Sequence, residues 1–307
     1  MSYDRKDRIM VPYFKNEKIA DRSYMISNAF TPSTPALCYL ITGDDYALLI
    51  DTIMGWGDLK AYCESITDKP IRVINTHAHF DHFGGNFHFD QCLMHHKDIP
   101  YFMGQIGYTK EQVFDMAKKT ALDEYKDRID IADFADVGPM KVYPVYDGDV
   151  FDLGGITIEV IGAGGHTPGS IVLLDSSNRI LYAGDACNSN TLLEFDNSLP
   201  VISYMESLLR LKKRQSEFDT MYCGHEVFGS AVLDEAIETV ARVIAGTDAK
   251  CERTGLMGGK VLYAAEKIKD GYERVDGKRF NMSYVPEKLA MPDDKRPPIT
   301  CDIIEQM

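Results

Sequence analysis

The sequence is short of positive charge, of paired cysteines and of long apolar runs, and each shortage removes a class of function. Lys and Arg number 33 against 47 Asp and Glu, a formal net charge of −14. Binding to a phosphate backbone draws on clustered basic residues, so no nucleic-acid partner is expected. The seven cysteines, Cys38, Cys63, Cys92, Cys187, Cys223, Cys251 and Cys301, are odd in number, scattered and never spaced C-x-x-C. They read as reduced thiols rather than a disulfide framework. No uncharged apolar stretch reaches the length of a membrane span, and no apolar core follows the charged segment Met1 to Arg8;. The expectation is a soluble, cytoplasmic protein with no membrane partner. There is no G-x-S-x-G elbow for a serine nucleophile, no internal repeat and no low-complexity segment;.

With 307 residues the chain can bury roughly three quarters of the surface its unfolded form exposes;. Runs rich in β-branched and aromatic residues, broken by turn formers, predict strands at Ser23 to Ser27, Ala36 to Thr42, Tyr46 to Asp51 and Ile71 to Asn75;. Further strands are expected at Lys141 to Tyr146, Ile156 to Ile161, Ile171 to Asp175, Ile180 to Ala183 and Thr220 to Cys223. Helical spacing marks Gly57 to Ile66, Lys97 to Gln105, Lys110 to Tyr125, Ile202 to Gln215 and Ala231 to Ala245;. The pattern between about 87 and 140 is irregular and reads as a helical insert forming a lid or substrate rim. One domain over 1–250 is expected, with a polar extension, 251–307, carrying Pro286, Pro292, Pro297 and Pro298 and packed on the same domain. Sheets flanked by helices make a layered α/β sandwich.

What the sequence does have is a concentration of metal donors. His77, His79, Asp81 and His82 fall within NTHAHFDHFGG, Asn75 to Gly85, directly after an apolar β-rich run. Buried imidazoles and carboxylates this close together are costly to desolvate unless a cation offsets the cost, and donors on alternating residues at a strand end can converge. Three isolated signals follow at later strand ends: His166 in GGHTPGS, Asp185 in YAGD and His225 in CGH. Each alone reads as a turn or a cap; their order and context change that.

H-x-H-x-D-H, then G-H-T-P-G-S, A-G-D and C-G-H together resemble the metallo-β-lactamase fold superfamily, over about residues 20 to 245. The resemblance implies a four-layer αββα sandwich. It also implies that His77, His79 and His166 hold one cation, that Asp81, His82 and His225 hold a second, and that Asp185 bridges them. Imidazole donors suit zinc, and iron or manganese also accept such mixed nitrogen and oxygen sets. The implied chemistry is hydrolysis of a small-molecule ester, thioester or lactone by a metal-activated hydroxide, with Asp81 also orienting the nucleophile or carrying a proton to the leaving group. A phosphodiesterase or nuclease on the same core, or a metal-binding module without turnover, is the alternative.

Substitutions narrow the branch. Two-zinc β-lactamases commonly carry cysteine where this chain has Asp185, and diiron relatives carry glutamate where it has His79. The glyoxalase II, lactonase and tRNA-processing branches therefore match better, although the net charge of −14 suits a nuclease poorly, lactonases place tyrosine where this chain has Asn188, and the tail carries no recognisable glutathione-binding pattern;. His88, His95 and His96 are expected outside the metal site, and Tyr204 in helix packing. Tyr101, Phe102, Tyr108 and Phe114 are expected in a small core of the insert, and Met54, Trp56 and Phe80 around an apolar acyl pocket. The insert or the tail offers a place for a homodimer contact.

Overall fold

The computed structural model describes residues 12–31, 36–105, 108–268, 271 and 273–289. The N-terminal segment 1–11, Pro292, Pro297, Pro298 and Cys301 lie outside them. Seven strands form the first sheet in chain order: β1 (Phe14–Ala20), β2 (Ser23–Asn28), β3 (Leu37–Thr42), β4 (Ala47–Ile50), β5 (Ile71–Asn75), β6 (Gln91–His95) and β7 (Lys141–Val145). Pairing is antiparallel from β1 to β4 and parallel from β4 to β7. The second sheet begins with β8 (Val150–Asp152), β9 (Thr157–Gly162), β10 (Ile171–Asp175) and β11 (Ile180–Gly184). The chain then leaves it for β12 (Thr191–Leu193) and returns as β13 (Thr220–Cys223) and β14 (Val227–Gly229), giving the order β14-β13-β11-β10-β9-β8.

Side-chain alternation along the strands sorts the core into layers. Leu37, Tyr39 and Ile41 of β3 point between the sheets, where they meet Ile158, Val160, Leu173 and Tyr182. Cys38 and Leu40 point the other way, onto Leu59 and Cys63 of helix α1 (Leu59–Glu64). The chain continues through the one-turn α2 (Phe80–Phe83), then α3 (Ile99–Gln105), α4 (Lys110–Thr120), α5 (Asp123–Lys126), α6 (Val201–Arg214) and α7 (Val232–Ile244). Leu208 and Leu211 of α6 and Leu233 and Val240 of α7 cover the outer face of the second sheet, against Leu181 and Ala183. The architecture is the αββα sandwich. Among the described residues no helix is long and apolar enough to cross a membrane.

The structure departs from the sequence reading in several places. The irregular region contains β6, QCLMH, which extends the parallel part of the first sheet. Five residues at a sheet interior carry too little periodicity to be told from a loop. The helix expected from Lys110 to Tyr125 breaks after Thr120, where Ala121 and Leu122 are extended before α5 begins. Trp56 is wholly buried among Phe30, Val113, Ala117, Ala121, Ile129 and Phe134, so it anchors the insert instead of lining an entrance.

Residues beyond α7 build a third sheet: β15 (Cys251–Thr254) and β16 (Lys260–Tyr263) form a hairpin, and β17 (Met282–Tyr284) joins it to β12 in the order β12-β17-β16-β15. One irregularity positions the site. The parallel pairing of β11 with β13 matches Tyr182 with Tyr222 but Gly184 with Cys223, so β11 carries one extra residue there;. Asp185 and His225 therefore leave the sheet near one another.

Candidate metal centre

All seven donors sit at strand ends or in the turns that follow. After β5 the chain bends through Thr76, His77 and Ala78 to His79, which is extended and occupies the N-cap position of α2, and α2 carries Asp81 and His82. A buried amide pair holds this turn: Asn75 Nδ2 donates to the His82 carbonyl at 3.0 Å, and Asn86 Nδ2 donates to Asn75 Oδ1 at 2.8 Å. The His225 turn is tied to the first sheet, because Leu37 N donates to the Gly224 carbonyl at 2.8 Å and the Tyr39 hydroxyl donates to the Cys223 carbonyl.

The seven side chains meet in one place. His79 Nδ1 lies 3.1 Å from His77 Nε2 and 2.8 Å from His166 Nε2. Asp81 Oδ2 lies 3.7 Å from His82 Nε2 and 3.4 Å from His225 Nε2. Asp185 stands between the groups with one oxygen toward each: Oδ1 is 3.5 Å from His82 Nε2 and 3.4 Å from His225 Nε2, and Oδ2 is 3.7 Å from His166 Nε2. Three clusters of ligand atoms are close enough to share a cation: His77, His79 and His166; His77, His82 and Asp185; and Asp81, His82 and His225.

The donor set fits a divalent cation on a separate observation. His82 Nε2 and Asp185 Oδ1 are buried and make no hydrogen bond among the described residues, although each faces the cluster. Buried groups of this kind are costly when unpaired. Several imidazole nitrogens aimed at each other, with too few protons to bond them all, are groups that a cation satisfies together.

Electrostatics divide the cluster in two. Burial, reinforced by neighbouring imidazoles, holds His77 well below its ordinary range and His79 down at about 3; burial also lowers His166. These three are neutral at pH 7, with lone pairs ready to ligate. Burial opposes charge on His82 too, but Asp81, Asp185 and Asp51 outweigh it and raise the group to about 10. His225 is likewise raised, burial being outweighed by Asp185 and Asp81. Both rings are therefore charged at pH 7 in the cation-free fold, and a cation ligated there must expel their protons. Cation uptake by this second group should release protons at pH 7, and its affinity should climb as pH rises above 7, about tenfold per pH unit for each proton released. Calorimetry in buffers of different ionisation enthalpy reads this directly; uptake without proton release would contradict it.

The profile of the metallo-beta-lactamase superfamily matches residues 32–225. The chain belongs to that superfamily. This superfamily member is 25% identical over 212 residues to the human acyl-coenzyme A thioesterase MBLAC2, covering 65% of this chain and 75% of that protein. It is also 35% identical over 89 residues to a hydroxyacylglutathione hydrolase of Rhodopseudomonas palustris (strain BisB5), which covers 29% of this chain and 34% of the relative. Among solved structures, a metallo-beta-lactamase family protein of Thermus thermophilus superposes with a TM-score of 0.53 at 17% identity, over 75% of this chain and 82% of that one. The metallo-beta-lactamase from Pontibacter korlensis gives 0.51 at 19% identity, over 74% and 99%. The protein is a metal-dependent hydrolase.

In this metallo-β-lactamase superfamily member the donors are themselves held by residues that no sequence motif marks. Asp51, in a left-handed conformation after β4 with φ of 59°, accepts from Thr76 N at 2.7 Å, Thr76 Oγ1 at 2.7 Å and His82 Nδ1 at 2.8 Å. His166 Nδ1 donates to the Leu192 carbonyl at 2.7 Å. Such bonds fix ring orientation and leave the other nitrogen facing the cluster. Asp98 ties the first turn to the His166 turn, accepting from Ala78 N at 3.0 Å, Thr167 Oγ1 at 2.6 Å and Gly169 N at 2.6 Å. Phe195 places its ring 4.9 Å from that of His79 and 5.6 Å from that of His166.

The remaining expectations resolve by contact. His88 lies 3.6 Å from Asp58, and His96 stacks on Tyr146 and meets His95 at a tilt; none of the three belongs to the clusters of ligand atoms. Tyr204 is buried, its hydroxyl donating to the Ala186 carbonyl at 2.8 Å. Asn188 is also buried and builds the turn before β12, where its side chain accepts from Asn190 N and Thr191 Oγ1. Phe102 is buried with Phe83, whereas Tyr101 lies 5.8 Å from His79, and Tyr108 stands against Phe80 at 4.5 Å with 39% of its surface exposed.

Gly224 is required by the centre. A Cβ there would lie 2.4 Å from His82 Cε1 and 2.6 Å from Asp185 Oδ1, distances at which something must move. Gly224→Ala leaves every donor in the sequence yet should weaken cation binding by about ten- to a hundredfold, as loss of an orienting contact does. Chelator competition measures it, and wild-type affinity would show that the neighbours yield freely.

Proposed function

We propose that this metallohydrolase cleaves acyl thioesters, and carboxylic esters of the same shape, at a dinuclear centre. His77, His79 and His166 on one side and Asp81, His82 and His225 on the other would hold the two divalent cations, a mixed nitrogen and oxygen set that suits zinc and that iron or manganese also accept;. The observation that carries this reading is Asp185, whose two oxygens face the two groups separately. Similarity over most of the chain to a protein named as an acyl-coenzyme A thioesterase supports the thioester, as does local similarity to a hydroxyacylglutathione hydrolase. The net charge of −14 disfavours a nucleic-acid substrate;.

A cation pair in such a site supplies a water acidic enough to attack at neutral pH and a Lewis acid for the carbonyl oxygen. The protein does the rest. His77, His79 and His166, neutral in the fold, present donors without first losing protons. Asp185 balances the charge of both groups from a largely buried position. Asp81, the more exposed carboxylate, faces the entrance at 36% exposure and is placed to carry a proton to the leaving sulfur;. The rings of Phe195 and Tyr101, both against His79, lend the site an apolar margin suited to an acyl group;.

Purified, metal-analysed protein assayed against a thioester, a lactone, a β-lactam and a phosphodiester provides the test. Thioester turnover should dominate, stop on chelation and return with zinc. Preferential turnover of the phosphodiester, or thioester cleavage that survives removal of all metal, would overturn the proposal.

A further inference from the structure

Three separate attachments run from the residues beyond α7 to the eight residues 191–198, and these residues touch His79 and His166 directly. First, β17 pairs in parallel with β12, matching Thr191 with Met282, Leu192 with Ser283 and Leu193 with Tyr284. Second, the Glu194 carboxylate joins both arms of the sheet: Oε1 accepts from Leu256 N at 2.6 Å, at the tip of the β15–β16 hairpin, and Oε2 accepts from Ser283 Oγ. Third, Lys288 Nζ donates to three backbone carbonyls of one loop, those of Phe195, of Asp196 at 3.0 Å and of Ser198 at 3.2 Å.

The same segment seats the site. The Leu192 carbonyl accepts from His166 Nδ1, Ser198 Oγ donates to the His166 carbonyl at 2.9 Å, and Leu199 N donates to the Gly165 carbonyl at 2.8 Å. Phe195 lies between the two arms of this network, its ring against His79 and His166. A loop with only short-range bonds would let that ring swing. An ammonium gathering three carbonyls, with a carboxylate bridging a backbone amide and a hydroxyl on the other side, holds the backbone at both ends of the ring. Charge-assisted bonds of this kind are stronger than neutral ones.

We propose that Glu194 and Lys288 are positioning residues, through which the C-terminal sheet fixes the 191–198 segment so that Phe195 forms a rigid wall of the entrance and determines acyl-chain selectivity. This inference rests on the ester or thioester reading for its substrate, and on the contacts alone for the clamp. The extension is thereby part of the substrate site. A fixed aromatic wall favours long apolar acyl groups because no ordering cost remains to be met on binding.

The experiment compares wild type with Glu194→Gln, Lys288→Met, Lys288→Arg and Phe195→Leu, each checked for metal content and thermal unfolding. Amide exchange of the 191–199 peptide, read by mass spectrometry, should speed up about tenfold in Glu194→Gln and Lys288→Met, and Lys288→Arg should recover part of the protection. The KM for a long-chain acyl thioester relative to a two-carbon one should rise about fivefold in the same two variants and in Phe195→Leu, whose peptide exchange stays slow. If Lys288→Met does not fold, the near-isosteric Glu194→Gln carries both arms. Unchanged exchange and an unchanged KM ratio in folded Glu194→Gln and Lys288→Met would overturn the inference, as would an equal rise in KM for both chain lengths. Should wild type cleave no ester or thioester, the proposed function falls, while the exchange arm still decides whether the clamp exists.

Discussion

An Asp185→Asn protein should fold normally and lose about a thousandfold of its hydrolytic rate, because the one carboxylate shared by both groups of donors is gone. Asparagine keeps the shape of the side chain, so its backbone position after the bulge in β11 is undisturbed. What it lacks is a second oxygen. In the native arrangement Oδ1 serves His82 and His225 while Oδ2 serves His166; an amide can offer an acceptor to only one side and turns an N–H toward the other. Removal of the negative charge also takes away part of what keeps His82 and His225 protonated. Elemental analysis should find less metal bound per chain, and kcat measured on the same preparation should fall more than the metal content does. Full activity with full metal content would show that the two groups work without a shared carboxylate.

The second large effect is expected at Asp51, which touches no cation. Asp51→Ala deletes the acceptor for three donors in a wholly buried position, and loss of one partner from such a network costs about 3–5 kcal/mol;. Thermal unfolding of the variant should move down by roughly 2–4 °C for each kcal/mol lost. Asp51→Asn separates stability from orientation. It tolerates the left-handed backbone and can still accept from Thr76, but can present an N–H to His82 Nδ1, forcing the ring to change tautomer or turn;. Cation affinity should then drop by about ten- to a hundredfold with a smaller change in stability. Unfolding midpoints and chelator competition on the pair of variants check both halves, and a metal affinity equal to that of wild type in Asp51→Asn would rule out the orienting role.

The donors were legible because they are chemically unusual together. Four of them crowd into Asn75 to Gly85, and the other three each follow an apolar strand, a pattern that solvated loops do not maintain;. The residues that hold the donors were not legible. Asp98 looks like any acid near a helix start until Thr167 and Gly169 are brought against it from about seventy residues away. Asp51 ends a strand in a manner typical of turns, and only the folded backbone shows that its carboxylate is buried. The strands of the third sheet failed for a different reason. They are three or four residues long, interrupted by glycine-rich turns, and their stability comes from pairing with β12 rather than from local preference;. Phe195 carries no signal in sequence at all; its placement depends on contacts from Glu194 and Lys288.

The extra residue in β11 has a consequence for how this chain tolerates change in length. Side chains on a pleated strand reverse direction at every step, and the bulge absorbs one step just before Asp185;. Deleting Ala183 or Gly184 would remove the bulge, and with it the local bend that turns Asp185 out of the sheet beside His225, while leaving all seven donors in the gene;. Additions in the connection after α6 would leave the pairing of β11 with β13 intact. Laboratory libraries of insertions and deletions should therefore sort sharply here, silent in one stretch and inactivating in the next, with a boundary set by the pleat and not by distance from the reacting atoms.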